Sequence, residues 1–193
     1  MPNWCDVTYK CVGDPKEVKS VYKMLQYINN RKTSILKNGF GKFWLGNLVH
    51  KLGYDWKEYR CRGEITDFYL DGDNVLTIAQ NTAWCEQEGV REAIEKAFPS
   101  IKVYYIEEEP GCDVYDTNDS SGKYFPERFY LDSYDQQEYF ETIEEAADYV
   151  AKIVGHKVEA SVDAIDEALD DYVDKQDNED VFYCFHEFTV IDS

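Results

Sequence analysis

The sequence is poor in the signatures that announce chemistry. Its six cysteines include no CxxC pair and its three histidines no HxxxH pair. Zinc sites are usually built on such spacings, so no metal is expected. Cys184 and His186 lie two apart on a strand-like stretch and share a face, but ordinary packing accounts for them. None of His50, His156 and His186 stands in a triad context. The glycine-rich "GFGKFWLG" at 39–46 lacks the GxxxxGK[ST] order of a phosphate loop. No apolar run approaches the roughly 20 residues that cross a bilayer. Met1 leads straight into the strand-like "PNWCDVTYKCVG", so no signal peptide is expected. Six cysteines without secretion fit reduced thiols in a cytoplasm. There is no repeat at a fixed period and no low-complexity segment. The expectation is a cytoplasmic, non-enzymatic protein with no cofactor and no membrane association, its oligomeric state left open.

Basic residues are scarce in one half only. Residues 107–193 hold 5 Lys+Arg against 26 Asp+Glu, a net of −21. Residues 1–106 hold 15 against 13, a net of +2, and the two halves make up the chain total of −19. Within the first half, residues 1–62 hold 12 against 5, a net of +7. This polarity narrows the partners more than the total does.

What the chain does hold is core-forming material. Hydrophobic residues make up 44% of its 193 positions and aromatics 16%, including 16 tyrosines, which excludes wholesale disorder. Residues 3–12 alternate as a strand. Asp14-Pro15-Lys16-Glu17 is a helix start, with Asp as N-cap, Pro at the first helical position and Glu three after the cap. Val18, Val21, Tyr22, Leu25 and Ile28 then form one apolar stripe. A short helix is expected around Trp44–Leu52. Two strands, Tyr59–Leu70 and Val75–Asn81, flank "DGDN", a hairpin signal. Val90, Ala93, Ile94, Ala97 and Phe98 describe a helix that Pro99 stops, and "IKVYYIEEE" is a fourth strand.

The fold class read from this order is α+β: a ferredoxin-like βαββαβ sheet with two helices on one face over residues 1–110. Residues 111–123 are read as a loop or linker. Residues 124–193 are read as an acidic α+β extension, separate or continuing the first sheet. That region shows two strands around Ser133-Tyr134-Asp135, and a capping box at Thr142 and Glu145 with Gly155 as C-cap. A helix capped by Ser161 follows, with Val162, Ile165, Leu169 and Tyr172 inward, and then the aromatic strand "VFYCFHEFTV".

Three stretches resemble the YubB-like family of plasmid- and phage-borne proteins. They are "PNWC" at residues 2–5, "TAW" at Thr82–Trp84, and "FPSIKVYYIEEEPGCDVY" with Phe98-Pro99, the Glu109-Pro110-Gly111 corner and Asp113. The resemblance spans residues 2–115. It implies a ferredoxin-like fold and a mobile-element origin, and it brings no assigned activity.

Two surfaces are candidates for binding. Asp163, Asp166, Glu167, Asp170, Asp171 and Asp174 fall on one helix face at a charge density comparable to that of duplex DNA. That face is read as docking a basic host protein, imitation of DNA included. A solvated surface, and internal pairing with the basic segment, are the competing readings. The second candidate is residues 31–62, where cations interleave with rings. Lys37, Lys42, Trp44, Trp56, Arg60 and Arg62 there suit single-stranded nucleic acid, rings stacking on bases and cations tracking phosphates.

Overall fold

The computed structural model describes residues 3–134, 136–176 and 181–191. Pro2 of the first family-like stretch, Asp135 of the second-half turn, and Asp177, Glu179 and Asp180 of the acidic run lie outside the described residues. The chain is α+β and divides into two compact units, the first reaching to Asp119 and the second covering Ser120–Ile191. Among the described residues, no helix is long and apolar enough to cross a membrane.

In the first unit, strand β1 (Trp4–Val12) leads into helix α1 (Pro15–Asn30). The Asp14 carboxylate accepts from the backbone N–H of Lys16 at 2.8 Å, a cap worth about 1 kcal/mol. Val18, Val21, Leu25 and Ile28 line the buried side of α1, as their spacing predicts. Helix α2 (Leu45–Lys51) follows, then strand β2 (Gly63–Leu70), strand β3 (Val75–Ala83), helix α3 (Glu88–Ala97) and strand β4 (Lys102–Glu109). The strand expected from Tyr59 begins only at Gly63. The Asp55 carboxylate accepts from Lys57 N–H at 3.1 Å and winds Trp56–Glu58 into a 3-10 turn first. The Asp71-Gly72 turn closes the hairpin through Asp71 N–H to Val75 C=O at 2.9 Å, with Gly72 at φ +77°.

The segment read as a loop holds a further strand, β5 (Val114–Thr117), antiparallel to β4. Its four residues are too short a run to stand out among the turn formers around it. Within this unit the strand order is β2-β3-β1-β4-β5. The pairs β1–β3, β1–β4 and β2–β3 are antiparallel. Alternation turns Cys5, Val7, Tyr9 and Cys11 of β1 and Val103 and Tyr105 of β4 inward, where they meet α1, α2 and α3 in one core. The same alternation in β4 carries Glu107 and Glu109 to buried positions.

In the second unit, strands β6 (Phe129–Ser133), β7 (Gln137–Phe140) and β8 (Tyr183–Glu187) form an antiparallel sheet in the order β7-β6-β8. Helices α4 (Ile143–Val154) and α5 (Val162–Val173) bury Ala146, Ala147, Val150, Ile165, Ala168 and Leu169 against Leu131, Phe140 and Phe185. The Thr142 hydroxyl accepts from Glu145 N–H and the Ser161 hydroxyl from Ala164 N–H, each at 3.3 Å. Gly155 ends α4 at φ +81°.

Asp163, Glu167, Asp170, Asp171 and Asp174 are exposed along α5 and its C-cap. Asp166 departs from the expected face. It lies three residues before the buried Leu169 and is half-buried, with His186 of β8 near it. Burial and then the neighbouring Asp170 raise its carboxyl above the usual range, and His186 works the other way. Lys175 pairs with Asp171 at 3.5 Å with both ends exposed, so the pair adds little.

Asp170 and Asp174 stand four apart at the helix end where negative charge is disfavoured. Replacing both by Asn is expected to stabilise the unit by about 0.5–1 kcal/mol at low salt. The gain should shrink toward zero in molar salt, read as urea midpoints of the two chains at both ionic strengths.

Candidate functional site

The first unit contains a cleft of about 740 Å³, within the roughly 300–1,000 Å³ typical of ligand pockets. Its rings come from three places in the chain: Trp4 of β1, Phe40 and Trp44 before α2, and Trp56 and Tyr59 after it. Trp44 is almost buried. It lies 4.9 Å from Phe40 and 5.0 Å from Trp56 between ring centroids, the second contact edge-to-face. Gly46 makes this possible, since a Cβ there would sit 2.2 Å from the Trp44 ring. Above this packed floor Trp4 is 56% exposed and Phe40 61% exposed, which leaves two large rings facing water. Exposed rings gathered in one cleft, and not scattered singly, point to a contact surface.

Lys57, Arg60 and Arg62 bring the cations to the same cleft. The Arg60 guanidinium donates to Cys85 Sγ at 3.2 Å, and the Lys57 ammonium lies 5.8 Å from the Trp56 ring centroid. The Arg62 side chain enters no hydrogen bond or ion pair among the described residues. Of the six residues expected from the basic segment, Trp44, Trp56, Arg60 and Arg62 therefore line one cleft. Lys37 and Lys42 do not line it. The Lys42 ammonium is spent on Asn29 C=O at 2.9 Å and on the Phe43 ring, 4.4 Å from its centroid. Trp4 and Glu64 were missed, because only the pairing of distant strands brings them here.

The wall of the cleft is held by the loop between β3 and α3. Trp84 there has φ +76°, a left-handed conformation that costs a non-glycine residue roughly 1–2 kcal/mol. Its N–H donates to Asn3 C=O at 3.0 Å, and Ala83 pairs with Trp4 in the ladder. The wholly buried Gln87 side chain donates to Cys85 C=O at 2.8 Å and accepts from Arg62 N–H at 2.7 Å. Thr82 Oγ1 also donates to Cys85 C=O at 2.8 Å. Helix α3 then starts so close to Arg60 that a Cβ at Gly89 would lie 2.5 Å from the Arg60 nitrogen.

Behind this loop lies a buried acidic cluster. Glu107 Oε2 accepts from Glu86 N–H at 2.5 Å and from the Cys5 thiol at 3.4 Å. Glu86 Oε1 accepts from the Tyr9 hydroxyl and, at 3.3 Å, from Arg91 Nε. Burial pushes the Glu107 carboxyl up to about 7, its two donors pulling back against burial and the nearby Asp116 and Glu86 charges. Burial also raises Glu86, against the Tyr9 and Arg91 hydrogen bonds that favour its charged form. The thiols of Cys5 and Cys85 are raised as well, chiefly by burial, away from the thiolate a nucleophile needs. Among the described residues, no group of three or more His, Cys, Asp or Glu could hold a metal ion.

The three family-like stretches meet at this end of the sheet. Asn3 touches the loop through Trp84 N–H, and its side-chain amide donates to Cys112 Sγ at 3.5 Å. Glu109 turns back to accept from Gly111 N–H at 3.0 Å. Comparison of the chain with protein-family models, with curated proteins and with solved structures returns no match.

Glu107 makes stability depend on pH with a definite sign. Its folded value lies above the ordinary 4.5, so between about 4.5 and 7 the folded chain holds a proton that the unfolded chain has lost. The stabilising effect of that proton fades as pH rises through the folded value. The cost of the buried charge approaches about 3 kcal/mol above it, at roughly 1.4 kcal/mol per pKa unit. Chemical denaturation from pH 4.5 to 8 should show Glu107→Gln gaining on the parent as pH rises through this window. Parallel curves would refute the assignment.

Proposed function

We propose that the first unit is a ferredoxin-like module of a cytoplasmic mobile-element protein that binds single-stranded nucleic acid in the Trp4–Phe40–Arg62 cleft. The carrying observation is the union of two exposed rings, Trp4 and Phe40, with Lys57, Arg60 and Arg62 on one concave surface. Bases have two faces to stack and every nucleotide brings a phosphate, so rings and cations together match that polymer better than either alone. The β2-β3-β1-β4 order with its antiparallel pairs supports the ferredoxin-like reading. The meeting of the three family-like stretches supports the YubB-like resemblance. The third-strand aromatic pair of RNA-recognition domains is missing, since β3 turns Val75, Thr77, Ala79, Asn81 and Ala83 to the face away from the helices. The rings offered for stacking are instead those of the cleft, Trp4, Phe40, Trp44 and Trp56.

A second reading concerns α5, whose exposed Asp163, Glu167, Asp170, Asp171 and Asp174 would dock a basic host protein or imitate DNA. Asp163, Asp170 and Asp174 changed together to Asn should abolish capture of such a partner without loss of folding. That reading rests on charge alone and ranks below the cleft.

Fluorescence anisotropy with a labelled 12-nucleotide single strand tests the first reading. Binding should fall with salt at a log–log slope near −2, from three cations at about 0.7 each for single strands. Trp4→Ala removes an exposed ring and should weaken binding on the order of tenfold. Arg62→Ala should weaken it and make the slope shallower by about 0.7. No binding at 50 mM salt would end this reading.

A further inference from the structure

The cleft contains one group that a plain phosphate groove would exclude. Glu64 is its single carboxylate lining residue, set beside Lys57, Arg60 and Arg62. It forms no ion pair with any of them. The ion pairs seen include Lys10–Asp71, Arg91–Glu86, Arg91–Glu88 and Lys175–Asp171, and none of them involves Glu64. Nor does its side chain enter any hydrogen bond among those residues. Its backbone is fixed on both sides. Glu64 pairs with Asn81 in the β2–β3 ladder and bridges Trp44 on the other edge, with Ile65 N–H donating to Phe43 C=O at 2.9 Å.

Arg62 continues the ladder before β2, its C=O accepting from Ala83 N–H at 2.9 Å. Residues two apart on an extended strand point the same way, so Arg62 and Glu64 present a free donor fork and a free acceptor pair side by side. The ring floor of Trp44 and Trp56 borders the same cleft. A carboxylate placed there repels every phosphate that comes near, so it weakens unselective binding. It contributes favourably only toward a ligand that offers donors at that spot.

We infer that Glu64, with Arg62 beside it, selects nucleobases by their Watson–Crick edge, favouring those with an exocyclic amine over thymine and uracil. This deepens the reading of the cleft as a single-strand site and rests on it. A carboxylate accepts the amine hydrogens of cytosine, and the amine of adenine or guanine presents the same chemistry. Thymine and uracil offer one N–H flanked by two carbonyl oxygens, and both oxygens repel the carboxylate. A hydrogen bond to a charged acceptor discriminates by about tenfold.

The test compares oligo(dC) and oligo(dT) of 12 nucleotides on the intact protein at fixed salt, for the parent and for Glu64→Ala. The position is exposed, so the substitution leaves the core untouched. The parent should bind oligo(dC) about tenfold tighter than oligo(dT). Glu64→Ala should bring the two within about twofold, partly by tightening oligo(dT) as the repulsion is removed. Equal affinity for both strands in the parent, or an unchanged ratio in the variant, would overturn the selection while leaving the cleft as a binding site. If neither strand binds the parent, the inference falls together with the reading beneath it.

Discussion

The buried side-chain amide of Gln87 is the pin on which the cleft depends. It reaches away from the helix it precedes, so α3 begins without a side-chain cap. Instead one end accepts from Arg62 N–H and the other donates to Cys85 C=O. Those two contacts tie the start of β2 to the loop after β3, and so fix where Arg60 and Arg62 stand relative to Trp4. A lost partner would leave a buried polar group unmet, at about 1–3 kcal/mol. The geometry is therefore held by hydrogen bonds that have no alternative partner in water, and the exposed rings rest on a frame that does not give.

The same loop shows how the strain at Trp84 is sustained. A left-handed tryptophan persists only when its surroundings over-determine it. Here Asn3 C=O takes its N–H, Thr82 and Gln87 converge on Cys85 C=O, and Glu107 takes Glu86 N–H. The last of these accounts for one of the two carboxylates on the inward face of β4, Glu107. Glu107 is positioned by β4 alternation, and its burial is offset in part by a loop amide that would otherwise be unsatisfied. The raised Glu107 carboxyl is the other side of that compromise.

The elements were largely legible in the sequence because their signals are local. Asp14-Pro15, Asp71-Gly72, Thr142 with Glu145, and Ser161 each act within four residues, and each marks an observed boundary. The cleft was legible only by half. Interleaved rings and cations identified Trp44, Trp56, Arg60 and Arg62, but composition cannot tell a free cation from one already engaged. Lys42 folds back on Asn29, and no spacing reveals it. Trp4 and Glu64 enter through β1–β3 register and the Trp44 bridge, which are long-range facts. Asp166 failed for a related reason. It sits at the margin of the helical stripe, three residues before the buried Leu169, and the strand that brings His186 near it lies twenty positions on in the chain.

A chain of net charge −19 with a proposed polyanion site poses an electrostatic problem in which screening and contact work differently. Charges farther than about 10 Å are largely screened at 0.1 M salt, while cations in contact with a phosphate are not. Long-range repulsion therefore acts mainly on the rate of encounter, and contact with Lys57, Arg60 and Arg62 acts on the lifetime of the complex. Added salt relaxes the first and weakens the second, so the two partly oppose each other. Affinity must then lean on uncharged contacts, and exposed Trp4 and Phe40 supply them in a form that salt does not screen. On the proposed reading, stacking is the term that would make the cations sufficient in a protein this acidic.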